Sequence, residues 1–199
     1  MMRLILASAS PRRQELVKML GFEDFRILPA DIDEEIPEME PAEAVRHIAL
    51  QKARKTAESC RDEDLIIAAD TLVYLGREAL GKPINESDAI NMLRRLSGAE
   101  HTVYTGVALK LVGREVTFFE KTRVFFRELS EDEIRAYVKT GEPMDKAGAY
   151  GAQGLGAIFI KRIDGDFFNV MGLPLCRLVT MLRRIGADLP AFCGELGCV

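Results

Sequence analysis

The sequence predicts a mixed α/β fold, an extended mixed sheet with flanking helices. Three observations predict it. Short apolar runs alternate with segments whose apolar residues recur at helical spacing, the order of βα units. Two long segments rich in β-branched and aromatic residues, 102–112 and 116–127, read as one large hairpin joined at Gly113-Arg114. And 199 residues, 48 % apolar and 29 % charged, suffice for a real core.

The elements follow in order. Leu4 to Ala7 reads as a buried strand, a better account of the N-terminus than its faint likeness to a signal peptide, because Pro11, Arg12 and Arg13 come too soon. Ser10 stands as N-cap and Pro11 at the first helical position of a helix reaching Leu20, with Leu16, Met19 and Leu20 inward and Gly21 closing it. Phe25 to Leu28 is a second short strand. An acidic segment, Asp31 to Glu40, precedes a helix from Ala42 to Ser59 with Ala42, Val45, Ala49 and Ala53 as its buried stripe. Leu65 to Ala69 is a strand ending in Asp70-Thr71. Leu72 to Leu75 and Glu78 to Leu80 form a hairpin around Gly76, and Ser87 to Leu96 is a helix stopping before Gly98. After the large hairpin, Ser130 caps a helix to Lys139, with Glu133 in the capping-box position. A glycine-rich loop, 141–156, leads to a strand from Ile158 to Ile163 and a last helix from Leu173 to Ile185. No repeat or linker interrupts this order, so residues 1–199 read as one domain, with a tail from about 186 of no assigned role.

A net charge of −4 argues against a broad grip on duplex nucleic acid. No apolar run is long enough to span a membrane. The four cysteines, Cys60, Cys176, Cys193 and Cys198, lack CxxC spacing and are too few for a disulfide scaffold. Reduced thiols are the default, with a pairing of Cys193 and Cys198 left open.

Five segments carry candidate chemistry. Ser8-Ala9-Ser10-Pro11-Arg12-Arg13 sits between a strand and a helix, where N–H groups, hydroxyls and guanidiniums suit a phosphate. The bland alternative is a capped helix with two surface arginines. Asp70 ends a buried strand, where α/β folds place ligands, and can hold a metal or accept a proton from water; otherwise it caps a turn. Residues 76–82 match most of a Walker A pattern, but Pro83 stands where a Ser or Thr hydroxyl is needed, so a P-loop is rejected. Lys82 can still serve a phosphate as a point charge. Of Asp31, Asp33, Glu34 and Glu35, one acid can complete a cation site with Asp70, and the others read as a solvated loop. In 145–154 the glycines permit close backbone approach to a ligand, and Gln153 can pair with both edges of a base; a flexible surface loop is the alternative. Gly154-Leu155-Gly156 begins like a dinucleotide fingerprint, but Phe159 breaks it. His47 and His101 have no visible Ser or Cys partner and read as structural.

Together and in this order, these motifs resemble the Maf family of nucleotide pyrophosphatases. Leu6-Ala7-Ser8-Ala9-Ser10-Pro11-Arg12-Arg13 is similar to its N-terminal signature. So are Lys52-Ala53 (with Gln51 where Glu is usual), Ala69-Asp70-Thr71, Gly81-Lys82-Pro83, Ser97-Gly98 with His101, Glu142-Pro143 with Asp145 to Tyr150, and Asn169-Val170 with Gly172-Leu173-Pro174. The resemblance spans Leu4 to about Leu182.

It implies an inosine-triphosphate-pyrophosphatase-like fold with two lobes around a cleft. It implies cytoplasmic hydrolysis of a nucleoside triphosphate to monophosphate and pyrophosphate with a divalent cation, magnesium, manganese or cobalt. By motif position Asp70 is the general base and a metal ligand, and Lys52 and Lys82 act with it. Ser8, Ser10 and Arg13 bind phosphate, and Glu34 binds metal. Arg12, Thr71 and Gln153 match the set associated with dTTP and UTP, whereas the 7-methyl-GTP branch carries Glu where Gln153 stands. A homodimer is implied, with no stable nucleic-acid or membrane partner. Rival readings are action on 7-methyl-GTP or another modified nucleotide, and a non-catalytic nucleotide-binding regulator of septum formation.

Overall fold

The computed structural model describes residues 2–32 and 36–190. Asp33, Glu34, Glu35, Cys193 and Cys198 lie outside the described residues.

In chain order the elements are β1 (Leu4–Leu6), α1 (Pro11–Met19), β2 (Phe25–Ile27), α2 (Pro41–Ala57), β3 (Leu65–Leu75), β4 (Glu78–Leu80), α3 (Glu86–Leu96), β5 (Glu100–Leu111), β6 (Arg114–Phe126), α4 (Glu131–Val138), β7 (Ile160–Asp164), α5 (Phe167–Met171) and α6 (Leu175–Ile185). Three short 3₁₀ segments, Glu142–Asp145, Ala147–Ala149 and Leu155–Phe159, occupy the expected glycine-rich loop. The sheet runs β2-β1-β3-β5-β6-β7, with β4 paired to β3. It is mixed: β1 is parallel to β2 and β3, whereas β3–β4 and β6–β7 are antiparallel. The predicted mixed α/β class holds.

Several local expectations need correction. Asp70-Thr71 does not end a strand: β3 runs on to Leu75, because the ladder to β4 (Val73 opposite Leu80) continues past the polar pair. The large hairpin turns at Val112-Gly113, not Gly113-Arg114. Both turn residues have positive φ, 46° and 71°, as a two-residue turn between twisted strands demands. α3 begins one residue early, because the Asn85 side chain accepts from the Asp88 N–H at 2.9 Å. The last helix, α6, begins two residues later than expected, and an unforeseen short helix, α5, precedes it, with Gly172 at φ 110° between them.

The chain divides into two compact units. The first comprises Met1–Asp70, Thr105–Glu120 and Gly172–Val199; the second, Thr71–Tyr104 and Lys121–Met171. In the first, Ile5 and Ala7, Ile66 and Ala68, and Ala108 pack against Ala49 and Ala53 of α2. The small residues let α2 lie close. A Cβ at Gly106 of β5 would stand 2.2 Å from the Val45 carbonyl oxygen, so only glycine fits there. The buried face of α2 is Ala44, Val45, Ile48, Ala49, Lys52, Ala53 and Thr56. Ala42, expected inward, is only half-buried, and Lys52 joins the stripe instead. In α1 the inward residues are Leu16, Val17 and Leu20, while Met19 is exposed, a shift of the stripe by part of a turn.

The second unit centres on aromatic rings. Tyr150 packs edge-on against Phe126 and His101, with ring centroids 4.8 and 5.3 Å apart, and Tyr137 against Phe159 at 4.9 Å. Leu93, Leu96 and Ile134 complete this core. Each such buried aliphatic side chain contributes about 1.5–3 kcal/mol.

Candidate active site

The first unit gathers charge. Ser8 follows β1, and Asp70 lies on β3, the neighbouring parallel strand (Leu6 opposite Ile67). Lys52 projects from the buried face of α2, and its Nζ donates to Asp70 Oδ1 at 2.7 Å. Lys52 is 6 % and Asp70 7 % exposed. An ion pair this sheltered is strong only with good geometry, and losing one partner strands the other. Lys52 sits at helical spacing from Val45, Ile48, Ala49 and Thr56, so its inward direction was readable in the sequence.

The turn after β1 is organised by Ser8. Its Oγ accepts from the Ser10 N–H at 3.3 Å and from Arg13 Nη1 at 3.1 Å. Arg13 Nε donates to the Gly172 carbonyl at 2.9 Å. Arg13 is thus oriented from two sides, by its own turn and by the start of the Gly172-Leu173-Pro174 motif. Ser10 holds the predicted N-cap position, with Pro11 after it, but its side chain makes no cap hydrogen bond. It is half-buried, as is Arg12.

Thr71, Lys82 and Gln153 belong to the second unit. Thr71 is half-buried on β3, Lys82 is exposed just beyond β4, and Gln153 is exposed in the glycine-rich segment. Residues 78–80 of the Walker-like stretch pair as a strand with β3. The Gly81 carbonyl beside Lys82 accepts from the Gly148 N–H at 3.0 Å. His101 lies inside β5, which begins at Glu100, ahead of the expected 102–112 segment. Its Nε2 shares a hydrogen bond with the Tyr150 hydroxyl at 2.8 Å, its Nδ1 has no partner, and burial lowers its pKa to about 4. It is a neutral core residue, while His47 is exposed on α2.

The family profile described as Maf-like protein matches residues 3–185. The chain belongs to the Maf-like family. It is 49 % identical over 195 residues to a protein of Caldicellulosiruptor bescii named dTTP/UTP pyrophosphatase, covering 95 % of this chain and 98 % of that protein. It is 50 % identical over 187 residues to one of the same name from Geobacillus sp., covering 94 % and 100 %. A third so named, from Aquifex aeolicus, is 47 % identical over 184 residues, covering 92 % and 96 %. The solved structure of a HAM1 protein from Coxiella burnetii has a TM-score of 0.50 and 16 % identity, covering 92 % of this chain and all of that one. That likeness bears on the fold alone: the chain shares the architecture of that HAM1 protein.

Sequence reasoning missed three contributors. Gly172 anchors Arg13 by its carbonyl, an interaction no side chain announces. Tyr137 and Glu142 hold the segment bearing Gln153. The glycines of that segment were read as room for a ligand. Gly154 and the following Gly156 also make room for these two side chains: a Cβ at Gly154 would stand 2.3 Å from Glu142 Oε1, and one at Gly156 2.7 Å from the Tyr137 hydroxyl.

Proposed function

We propose that this chain is a cytoplasmic pyrophosphatase that hydrolyses dTTP and UTP to the monophosphate and pyrophosphate. The observation that carries the reading is the sheltered Lys52–Asp70 pair on parallel strand β3 and helix α2. The names borne by relatives about half identical over nearly the whole chain support the substrate.

In this mechanism a water attacks the α-phosphorus, the bond from it to the α–β bridging oxygen breaks, and pyrophosphate leaves. Asp70 orients the water and takes its proton. The Lys52 ammonium holds Oδ1, so the carboxylate presents its other oxygen in a set direction. Ser8, Ser10, Arg13 and Lys82 are assigned to the phosphates, and Arg12, Thr71 and Gln153 to the pyrimidine. Positioning and charge stabilisation supply most of the rate in such chemistry.

The donor set fits a divalent cation that arrives with the nucleotide. Magnesium is usually held by one or two carboxylates plus substrate phosphates, and Asp70 offers a carboxylate on the sheet. No group of three His, Cys, Asp or Glu side chains suited to a metal occurs among the described residues, so a dedicated protein cage is not the fit there. Asp70, with Glu34 as second carboxylate, would hold magnesium, manganese or cobalt, which supplies charge neutralisation at the phosphates.

Asp70→Asn is expected to lower kcat roughly 10²–10⁴-fold with the circular dichroism spectrum unchanged. Pyrophosphate release near the wild-type rate would remove Asp70 from the chemistry. The wild-type chain should prefer dTTP and UTP to 7-methyl-GTP; the reverse order would overturn the substrate reading. The proposal includes a homodimer, checked by light scattering.

A further inference from the structure

We propose that Glu142 and Tyr137 are positioning residues for base selection: they hold the Gln153 segment in one shape. The proposal rests on Gln153 reading the pyrimidine, as assigned above.

Gln153 is exposed, and so are its neighbours Gly154 and Leu155. Glycine-flanked backbone has wide conformational freedom, and Gln153 would have it too without external ties. Two side chains supply those ties. The Tyr137 hydroxyl accepts from the Gly151 N–H at 3.1 Å, before Gln153. Glu142 accepts from the Leu155 N–H at 2.9 Å and the Gly156 N–H at 3.2 Å, after it. The two ties are joined, because Tyr137 donates to Glu142 Oε1 at 2.9 Å. A carboxylate accepting N–H groups makes the stronger, charge-assisted kind of hydrogen bond. Partial burial pushes the Glu142 pKa up, but the Leu155 and Gly156 N–H bonds and the Tyr137 hydroxyl outweigh it, so the group is held below the usual carboxylate range.

The supports are themselves held. The Tyr137 ring is 5 % exposed and meets Phe159 edge-on, and Lys146 Nζ donates to the Glu142 carbonyl at 2.6 Å. Gly151, Gly154 and Gly156 lie so close to Glu142, Tyr137 and Lys146 that a Cβ at each would fall within 3.0 Å of one of them. Base selection is demanding in this respect. A side-chain amide tells the 4-carbonyl and N3–H of uracil from the 4-amino and bare N3 of cytosine only if donor and acceptor are aimed within about 0.5 Å and 10–20°. A fixed backbone at 153 provides that aim.

The test is the ratio of kcat/KM for UTP over CTP. Tyr137→Phe keeps the ring and deletes the hydroxyl. It is expected to lower the ratio roughly tenfold, the worth of one well-aligned hydrogen bond, mainly through KM for UTP. Glu142→Gln sets an NH2 group against a backbone N–H and should lower the ratio further. In a Gln153→Ala background Tyr137→Phe should change the ratio no more, because both act through one contact. Amide exchange at Gly154–Gly156 should quicken in Tyr137→Phe while the melting temperature stays near wild type. An unchanged ratio, or a full tenfold loss added on top of Gln153→Ala, would overturn the proposal. If the wild-type chain releases pyrophosphate from no nucleotide, the pyrophosphatase reading falls by itself. The same variants are then compared by UTP against CTP binding, where an unchanged preference would overturn the positioning role.

Discussion

Both compact units bury neutral polar groups, but they differ in the charged groups they bury. In the first, Lys52, Asp64 and Asp70 are charged and nearly sealed. Asp64 is met by Arg3 at 3.2 Å and Arg61 at 2.9 Å; burial pushes its carboxyl up, and these guanidinium bonds more than reverse it, leaving it well below the usual range. In the second, the buried polar residues are His101, Thr122 and Asn169, and burial keeps His101 neutral. Among the described residues, all buried charged side chains therefore belong to the first unit. Charges in a low-dielectric surround interact strongly, which suits phosphate chemistry; neutral hydrogen bonds hold shape without that cost. One unit is built to place charge, the other to hold backbone.

The largest test of this contrast is Lys52→Met. If charge organises the first unit, stranding Asp70 should cost roughly 3–5 kcal/mol, read by denaturant titration. Asp70→Asn in that background should recover part of it. Unaltered stability in the single variant would erase the contrast from the charged side.

The next test is pH. His101 titrates near 4 in the fold against an ordinary 6.5. As pH falls below 6.5 the unfolded chain takes up this proton and the folded chain does not. The stability it confers is complete above that value and drains away toward pH 4, roughly 2 kcal/mol of it by pH 5. His101→Gln should flatten that portion of the stability profile between pH 7 and 5. Equal acid sensitivity in both proteins would mean His101 is not held neutral.

The smallest is Ser130→Ala. The Ser130 hydroxyl accepts from the Glu133 N–H at 3.3 Å, and the Glu133 side chain accepts from the Ser130 N–H at 2.8 Å, a complete capping box on α4. Its loss should cost about 1 kcal/mol of stability and leave turnover of dTTP unaltered. A loss of turnover would show that α4 is coupled to the chemistry more tightly than a backbone support should be.

Legibility in the sequence divides along similar lines. Helix α2, the core strands and the Ser130 box were readable, because periodicity and capping depend on residues within one or two turns. α5 was not: five residues are too few to show a helical period. The run of β3 past Asp70-Thr71 was not, because two polar residues interrupt the apolar pattern while the ladder to β4 carries on. In the candidate site, residue types and order pointed to Ser8, Arg13, Lys52 and Asp70, but not to their pairing.

By itself, then, the sequence determined the α/β class and most elements, since each follows from local spacing, and the resemblance carried by its ordered motifs singled out the candidate residues for phosphate and base. Only the tertiary structure decided that Lys52 meets Asp70, that Arg13 is anchored by Gly172 159 residues away, and that three glycines close around Glu142 and Tyr137. Those are contacts between distant segments, set by how strands and helices pack, and no short-range pattern encodes them.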